Sequence, residues 1–165
     1  VFRWSKNRRV KWLSPVNTAR IFFTNLLYKE MIGTDIIKIA LDTNNCGIKN
    51  NSNLIATSKN KICGDKITVE IEVNKNKIER MYYETESCVF CQASASLLSN
   101  LIKRTNIKNL RDDLNQINTS YKKKKIDLKR KYKPFRKLFQ QKYEKRFDCI
   151  LLPFNALLKV VNSLV

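Results

Sequence analysis

Cys63 and Asp65 place a thiol and a carboxylate on either side of Gly64, directly before a strand-like run. Because glycine accepts backbone angles that other residues avoid, such a turn can aim both side chains at one centre. Thiolates and carboxylates are both metal ligands. The stretch from Asn60 to Asp65 therefore predicts half of a metal site, although three small residues in a turn also occur without any ligand function.

The segment after this turn predicts an antiparallel hairpin, which supplies a further thiol. Strict alternation from Lys66 to Val73 is typical of a half-buried strand. Its two faces are Ile67, Val69, Ile71 and Val73 on the apolar side, and Lys66, Thr68, Glu70 and Glu72 on the polar side. The polar turn 74–77 leads into a second strand over 78–85. Antiparallel pairing puts the start of the first strand beside the end of the second, which brings Cys63 and Asp65 close to Cys88.

Two helix starts each carry a cysteine. Cys88 precedes a helical pattern whose first turns are rich in Ala and Ser, so this helix can lie very close to a neighbour. The N-terminal end of a helix favours the thiolate, the form that binds metals and attacks sulfur. Cys149 begins an apolar C-terminal helix, with Pro153 predicted in its first turn. Three thiols at the ends of elements and one Asp thus predict a four-ligand site.

The other two cysteines have simpler interpretations. Cys91 lies one turn after Cys88 and either faces the same centre or is a small buried helix residue, which is the more common role of a free cysteine. Cys46 stands in a segment of turn-forming residues, 42–53, and is predicted to be a bystander.

Composition limits the fold and the chemistry. The chain has 165 residues and 43% hydrophobic residues, which indicates one globular domain. With 54–56 as a third strand, we predict an α+β fold: a small antiparallel sheet of about three strands packed against helices, with the metal site at one end of the sheet.

Histidine is absent, which excludes zinc sites of the Cys/His type and Ser-His-Asp triads. Five cysteines and no membrane-spanning apolar run favour a reducing compartment.

The net charge of +19 is ordinarily a sign of a polyanionic partner. Lys outnumbers Arg by 23 to 10, however, and Lys, Asn and Ile together fill 57 positions, which indicates an A/T-rich coding bias. Residues 121–146 hold thirteen Lys or Arg interleaved with aromatic residues, so the segment is either a solvated helix face with a buried aromatic side or a surface that stacks and grips nucleic acid. We predict the helix face.

The N-terminal region is basic. Residues 1–29 carry seven Lys or Arg and no acid, which is typical of an organellar transit peptide or of a disordered extension. We assign residues 1–24 to this extension and 25–165 to a single domain. Apolar residues at helical spacing from Phe22 to Ile39 predict one or two helical turns packed on the core.

The ordered set of these motifs resembles the U-type iron–sulfur assembly proteins, namely IscU, SufU and the N-terminal domain of NifU. The matching pieces are Cys63-Gly64-Asp65 before a strand, Cys88 followed by Gln92-Ala93-Ser94-Ala95-Ser96, Cys149 before Leu151-Leu152-Pro153-Phe154, and Leu27-Tyr28-Lys29-Glu30-Met31 in the first helix. The 61 residues from Cys88 to Cys149 are closer to the SufU type than to the shorter IscU type. The chaperone-docking motif of IscU is missing, so no dedicated Hsp70 partner is implied.

The resemblance implies a scaffold rather than an enzyme. A cysteine desulfurase (SufS-like or IscS-like) would pass sulfur to Cys63 or Cys149. Cys63, Asp65, Cys88 and Cys149 would hold iron, a transient 2Fe-2S cluster or zinc, and recipient apo-proteins or carrier proteins would take the product. The alternatives are a zinc-bound sulfurtransferase and a basic nucleic-acid-binding protein with a structural metal site. The implied location is the bacterial cytoplasm, or an organellar matrix or stroma if the extension is a transit peptide; no membrane association is implied.

Overall fold

One antiparallel sheet organises the molecule, of which the computed structural model describes residues 2–3, 32–123 and 126–164. The strands are β1 (Phe2–Arg3), β2 (Ile55–Lys59), β3 (Lys66–Asn74) and β4 (Lys77–Ser87), in the spatial order β1-β4-β3-β2. β1 is a two-residue strand that pairs with Glu86 and Ser87. The three longer strands and their helices confirm the predicted α+β fold with a sheet of about three strands.

The β3–β4 hairpin lies at the predicted position. Lys75 and Asn76 form its two-residue loop, and both have positive φ angles, 48° and 59°. Loops of this kind match the twist of the flanking strands. At the other end of the hairpin, Lys66 pairs with Glu86. The chain entering β3 and the chain leaving β4 therefore lie side by side, as the sequence predicts for Cys63 and Cys88.

Helices cover one face of the sheet. The described residues include α1 (Thr34–Leu41), α2 (Val89–Leu101), α3 (Ile107–Lys122) and α4 (Phe147–Asn162). Phe22 and Leu26 of the predicted first helical turns lie outside the described residues, while Ile36 in α1 is buried. α4 begins at Phe147, so Pro153 stands in its second turn and not in the first as predicted.

The core lies between the sheet and the α2–α4 pair. Ile67, Val69 and Ile71 of β3 are completely buried, as the alternation predicts. The small residues at 93–96 of α2 are also buried, and the Ser94 hydroxyl donates to the Ile150 carbonyl oxygen of α4 at 2.5 Å. This contact confirms the predicted close approach of α2 to a neighbouring element.

Glu70 departs from the predicted polar face of β3, because it is fully buried. The backbone of residues 49–52 folds over it, and the N–H groups of these four residues donate to its carboxylate at 2.7 to 3.0 Å. Burial raises the pKa of Glu70, but the four backbone donors outweigh it and hold the pKa below its usual range. Residues 49–52, which belong to the predicted loop, are thus hydrogen-bonded to the sheet through the Glu70 carboxylate.

The basic segment, 121–146, does not form the single solvated helix face that the sequence predicts. It forms two 3-10 helices, Arg130–Lys137 and Gln141–Arg146. Pro134 lies within the first of them. Because proline has no N–H group, it disfavours the interior of an α-helix, and short 3-10 helices occur in such segments instead. Three of its aromatic residues are nevertheless buried: Tyr132 and Phe135 are inaccessible and Tyr143 is 6% exposed. These three rings are therefore not available to stack on bases. No helix among the described residues is long and apolar enough to cross a membrane.

Candidate metal centre

The turn that joins β2 to β3 positions Cys63 and Asp65. Lys59 pairs with Lys66, so residues 60–65 form the loop of a hairpin. Asn60 closes this loop: its N–H donates to the Asp65 carbonyl oxygen at 2.8 Å, and its own carbonyl accepts from Gly64 N–H at 2.9 Å. The Asn60 side chain accepts from the N–H of Ile62 at 2.9 Å, as asparagines in turns often do.

Gly64 makes the shape of this turn attainable. Its φ is +77°, a left-handed conformation that residues with a Cβ rarely adopt. No atom lies within 4 Å of the position that a Cβ would occupy, so space is not the constraint. Glycine is therefore favoured between the thiol and the carboxylate because of its backbone conformation.

The Cys63 and Cys149 sulfur atoms lie 3.5 Å apart. Cys63 is exposed on the turn, whereas Cys149 is buried in the first turn of α4. The Asn60 side-chain amide also approaches the Cys149 sulfur, at 3.8 Å. One accessible thiol and one shielded thiol thus meet between the hairpin and the C-terminal helix.

Asp65 completes a compact group with these two thiols. One ligand atom from each of Cys63, Asp65 and Cys149 lies within 4.8 Å of the other two. Asp65 is 8% exposed. Its Oδ1 atom accepts from the N–H of Cys88 at 3.2 Å, while its Oδ2 atom is buried without a hydrogen-bond partner among the described residues. A buried carboxylate oxygen left in this state is costly unless a cation binds it.

Cys88 stands at the N-cap of α2, where the sequence predicts it. Its thiol interacts with the Cys149 thiol and with the Asp65 carboxylate, although it is outside the mutual group of three. The hydrogen bond from Cys149, assisted by the backbone N–H of Cys91 and opposed by burial, lowers the pKa of Cys88. The same hydrogen bond, together with burial, raises the pKa of Cys149.

The two remaining cysteines lie elsewhere. Cys91 is fully buried, and burial raises its pKa to about 12, so it is a core thiol as predicted. Cys46 is half-buried in the loop before β2, where its backbone forms a bridge with Tyr83. Neither belongs to the group of ligand atoms around Asp65.

The donor set fits a thiophilic cation. Two thiolates bound to one tetrahedral zinc ion, with Zn–S bonds of about 2.3 Å, lie about 3.8 Å apart, close to the 3.5 Å between Cys63 and Cys149. The Asp65 oxygen without a partner supplies a further ligand, and Cys88 borders both Asp65 and Cys149. Two thiols and one carboxylate thus meet, with the Cys88 thiol beside them, and this donor set suits zinc or an iron–sulfur cluster.

Comparison with known proteins identifies the family. The sequence model of the "NifU-like N terminal domain" matches residues 32–128, more than half of the chain. The protein therefore belongs to the NifU-like N-terminal domain family, as the resemblance predicted. The matched range includes Cys63, Asp65 and Cys88, and Cys149 follows it in the chain. Among curated proteins, no sequence gives a significant match.

Solved structures share the fold. A nitrogen-fixing NifU-like protein (N-terminal) from Brucella abortus superposes with a TM-score of 0.72 and 18% identity, over 82% of this chain and 95% of that one. A protein described as an iron–sulfur cluster assembly scaffold for the SUF system of Fervidobacterium islandicum AW-1 gives a TM-score of 0.67 and 20% identity, over 81% and 98%. At these identities the likeness establishes the fold.

Sequence reasoning left one residue of the site without a role. Asn60 closes the turn through its backbone and side chain and also contacts the Cys149 sulfur. An asparagine at the first position of a turn is a recognisable signal for the first of these functions. Its contact with Cys149, which is 89 residues away in sequence, has no local signal.

Proposed function

We propose that the protein is a scaffold for the assembly of iron–sulfur clusters, in which Cys63, Asp65, Cys88 and Cys149 hold iron and sulfide for transfer to apo-proteins or carrier proteins. The observation that carries this proposal is the buried Asp65 oxygen without a partner among the described residues, next to the thiols of Cys63 and Cys149 and with the Cys88 N–H on the other oxygen of the same carboxylate. Membership of the NifU-like family supports it. The cluster is the cargo of such a protein, and the side chains are its temporary ligands.

Cys63 is the thiol that we expect to accept sulfur. It is exposed, while Cys149 is 3% exposed and has a raised pKa. The Cys63 thiolate would attack the outer sulfur of a persulfide on a cysteine desulfurase. A new S–S bond forms on Cys63, the S–S bond on the desulfurase breaks, and the desulfurase cysteine leaves as a thiolate. Cys149, whose sulfur atom lies 3.5 Å away, is the second candidate acceptor.

Asp65 would set how firmly the cargo is held. A carboxylate is a harder ligand than a thiolate and binds soft metal ions less tightly. A site with three thiols and one carboxylate therefore binds a cluster and can still release it. The compartment that we propose is a reducing one, either a bacterial cytoplasm or an organellar matrix or stroma, because the sulfur acceptor and the cysteine ligands must remain thiols there.

The same donor set also suits a zinc-bound sulfurtransferase, because three cysteines and a carboxylate can close a tetrahedral zinc site. The two functions share the step at Cys63 and differ in the metal. Protein purified without oxygen separates them, since an iron–sulfur cluster absorbs visible light and zinc does not. Metal analysis of the same sample gives the stoichiometry.

The experiment that tests the proposal is anaerobic incubation of the protein with a cysteine desulfurase, cysteine and ferrous iron. We expect the mass of one sulfur atom to be added at Cys63, followed by visible absorption when iron is present. Cys63→Ser should lose both signals. Cys91→Ala is the control and should retain both, because Cys91 is a core thiol. Equal sulfur loading of the wild type and Cys63→Ser would contradict the assignment of the acceptor.

A further inference from the structure

A groove runs between the edge strand β2 and the C-terminal half of α4. Its volume is about 410 Å³. Most of the side chains around it are polar and can donate hydrogen bonds: Ser58, Lys59, Asn155, Lys159 and Asn162. The groove has no role in the metal centre or in the proposed transfer of sulfur.

Ser58 is the most informative of these residues. It is 4% exposed, and its hydroxyl oxygen has no hydrogen-bond partner among the described residues. Its neighbour Thr57, in contrast, shares a hydrogen bond of 2.9 Å with Thr68. Buried hydroxyl groups are nearly always hydrogen-bonded, and the few exceptions call for an explanation. A ligand in the groove that Ser58 lines would provide the missing partner.

The charge around Ser58 indicates the sign of that ligand. Lys59 and Lys159 both border the groove, and none of the described residues that line it is acidic. The Lys159 ammonium donates to the Thr57 carbonyl oxygen at 2.9 Å, which fixes it at the strand edge. An ammonium group has three donors, so Lys159 keeps others for a ligand. Asn155 and Asn162 add two carboxamide groups along the same helix.

Apolar side chains complete the groove and indicate where it leads. Leu152 and Leu158 belong to its lining. Leu152 lies about one helical turn after Cys149, and Lys59 precedes Asn60, whose side chain contacts the Cys149 sulfur. The groove therefore begins next to the metal centre and extends away from it along α4.

We propose that this groove binds the oxyanion of a small ligand, a phosphate or a carboxylate group, between the Lys159 ammonium and the Ser58 hydroxyl, with Lys59 at the edge of the groove. Lys159 and Ser58 would donate to the anion, Lys59 would add a neighbouring positive charge, and none of the described lining residues is acidic. The two leucines accommodate a short apolar substituent. The proposal does not depend on the bound metal or on the function proposed above.

The test is a titration of the metal-free protein with inorganic phosphate and, separately, with butyrate at constant ionic strength, followed by the NMR shifts of individual amides. We expect saturable shifts at Ser58 and Lys59 and at the side-chain amides of Asn155 and Asn162. The anion with the lower dissociation constant identifies the preferred source of the oxyanion. Binding of either anion at these residues supports the proposal.

Substitutions of Lys59, Lys159 and Ser58 then test which side chains contribute to binding of the anion. Lys59→Gln combined with Lys159→Gln should weaken binding about tenfold or more, because the charge-assisted hydrogen bond from Lys159 and the neighbouring positive charge of Lys59 are both lost. Ser58→Ala should weaken it about threefold or more, and Lys159→Arg should retain it. The matched control is Lys133→Gln combined with Lys145→Gln, which removes two exposed charges outside the groove and should leave the affinity unchanged. Because Lys159 is exposed, Lys159→Gln alone keeps the test valid if another variant unfolds.

Three outcomes would overturn the proposal. The first is that neither anion produces saturable shifts in the groove. The second is that shifts spread over exposed lysines throughout the molecule, which indicates screening and not a site. The third is that the groove pair and the control pair lose the same affinity.

Discussion

Asp65 and Glu70 are two buried carboxylates on the same stretch of chain, one just before β3 and one within it. Glu70 accepts hydrogen bonds from four backbone N–H groups, two on each oxygen. Asp65 accepts one, on Oδ1, and its Oδ2 atom has no partner among the described residues. Both oxygens of Glu70 thus accept hydrogen bonds, whereas among the described residues only one oxygen of Asp65 does.

The difference separates a structural carboxylate from a functional one. Glu70 fastens residues 49–52 to the sheet and needs nothing more. Asp65 is oriented by one donor, from Cys88, while its second oxygen remains beside the thiols of Cys63 and Cys149. Burying a carboxylate costs free energy in both places. A bound cation would offset this free energy at Asp65, whose Oδ2 atom has no other partner among the described residues. Glu70 needs no cation, because its four backbone donors already do so.

The largest effect on stability is expected from Glu70→Gln. The amide keeps one acceptor and turns an NH₂ group toward backbone donors, so the free energy of unfolding should fall by about 2 kcal/mol or more. Because the pKa of Glu70 is lowered from 4.5, its stabilisation is complete above that pH and is lost as the pH falls further. The gap between wild type and variant in urea unfolding should therefore narrow below pH 4.5.

Glu72→Gln is the matched control for this experiment. Glu72 lies on the same strand, is only partly buried and accepts one side-chain hydrogen bond, from Asn51 at 3.1 Å. We expect a change of less than about 0.5 kcal/mol. A loss as large as that of Glu70→Gln would show that the negative charge of β3, and not the four backbone donors, carries the effect.

Replacing Asp65 by Ala should change the lifetime of a bound cluster. The labile oxygen ligand is removed, so release becomes slower and the visible absorption of the reconstituted protein should decay with a longer half-life under a chelator. Asp148→Ala is the control, because Asp148 is an exposed carboxylate next to Cys149 in sequence. If Asp65→Ala lost its cluster faster than the wild type, the role of Asp65 in release would be wrong.

The smallest effect on folding is expected from Asp65→Asn in the metal-free protein. The amide can still accept from Cys88 N–H, and a neutral group in place of the half-satisfied carboxylate removes part of the cost of burial. The free energy of unfolding should change by less than about 1 kcal/mol, or should rise. A loss equal to that of Glu70→Gln in the same urea series would remove the distinction between the two carboxylates.

The sequence was sufficient for the parts of the site that depend on strand alternation and helix starts. Alternation over 66–73 and the polar turn after it predicted the hairpin, and with it the approach of Asp65 to Cys88. Small residues after Cys88 predicted the close contact of α2, now seen between Ser94 and Ile150. Both signals are local, because each follows from the periodicity of a single element.

The features that the sequence missed depend on contacts between distant segments. Glu70 was placed on the polar face of β3, and nothing in that strand shows that residues 49–52 cover it. The 3-10 helices of 130–146 replace an expected helix face because of Pro134 and the packing of Tyr132 and Phe135. The contact of Asn60 with Cys149 is likewise a product of the tertiary fold.

X-ray absorption at the zinc edge, on protein loaded with one zinc ion per chain, tests most directly whether Cys63, Asp65, Cys88 and Cys149 form one site. We predict three sulfur ligands at about 2.3 Å and one oxygen at about 2.0 to 2.2 Å. Cys88→Ser should reduce the sulfur count to two, while Cys91→Ser should leave it at three. A spectrum without sulfur ligands, or one that Cys88→Ser does not change, would contradict the shared site.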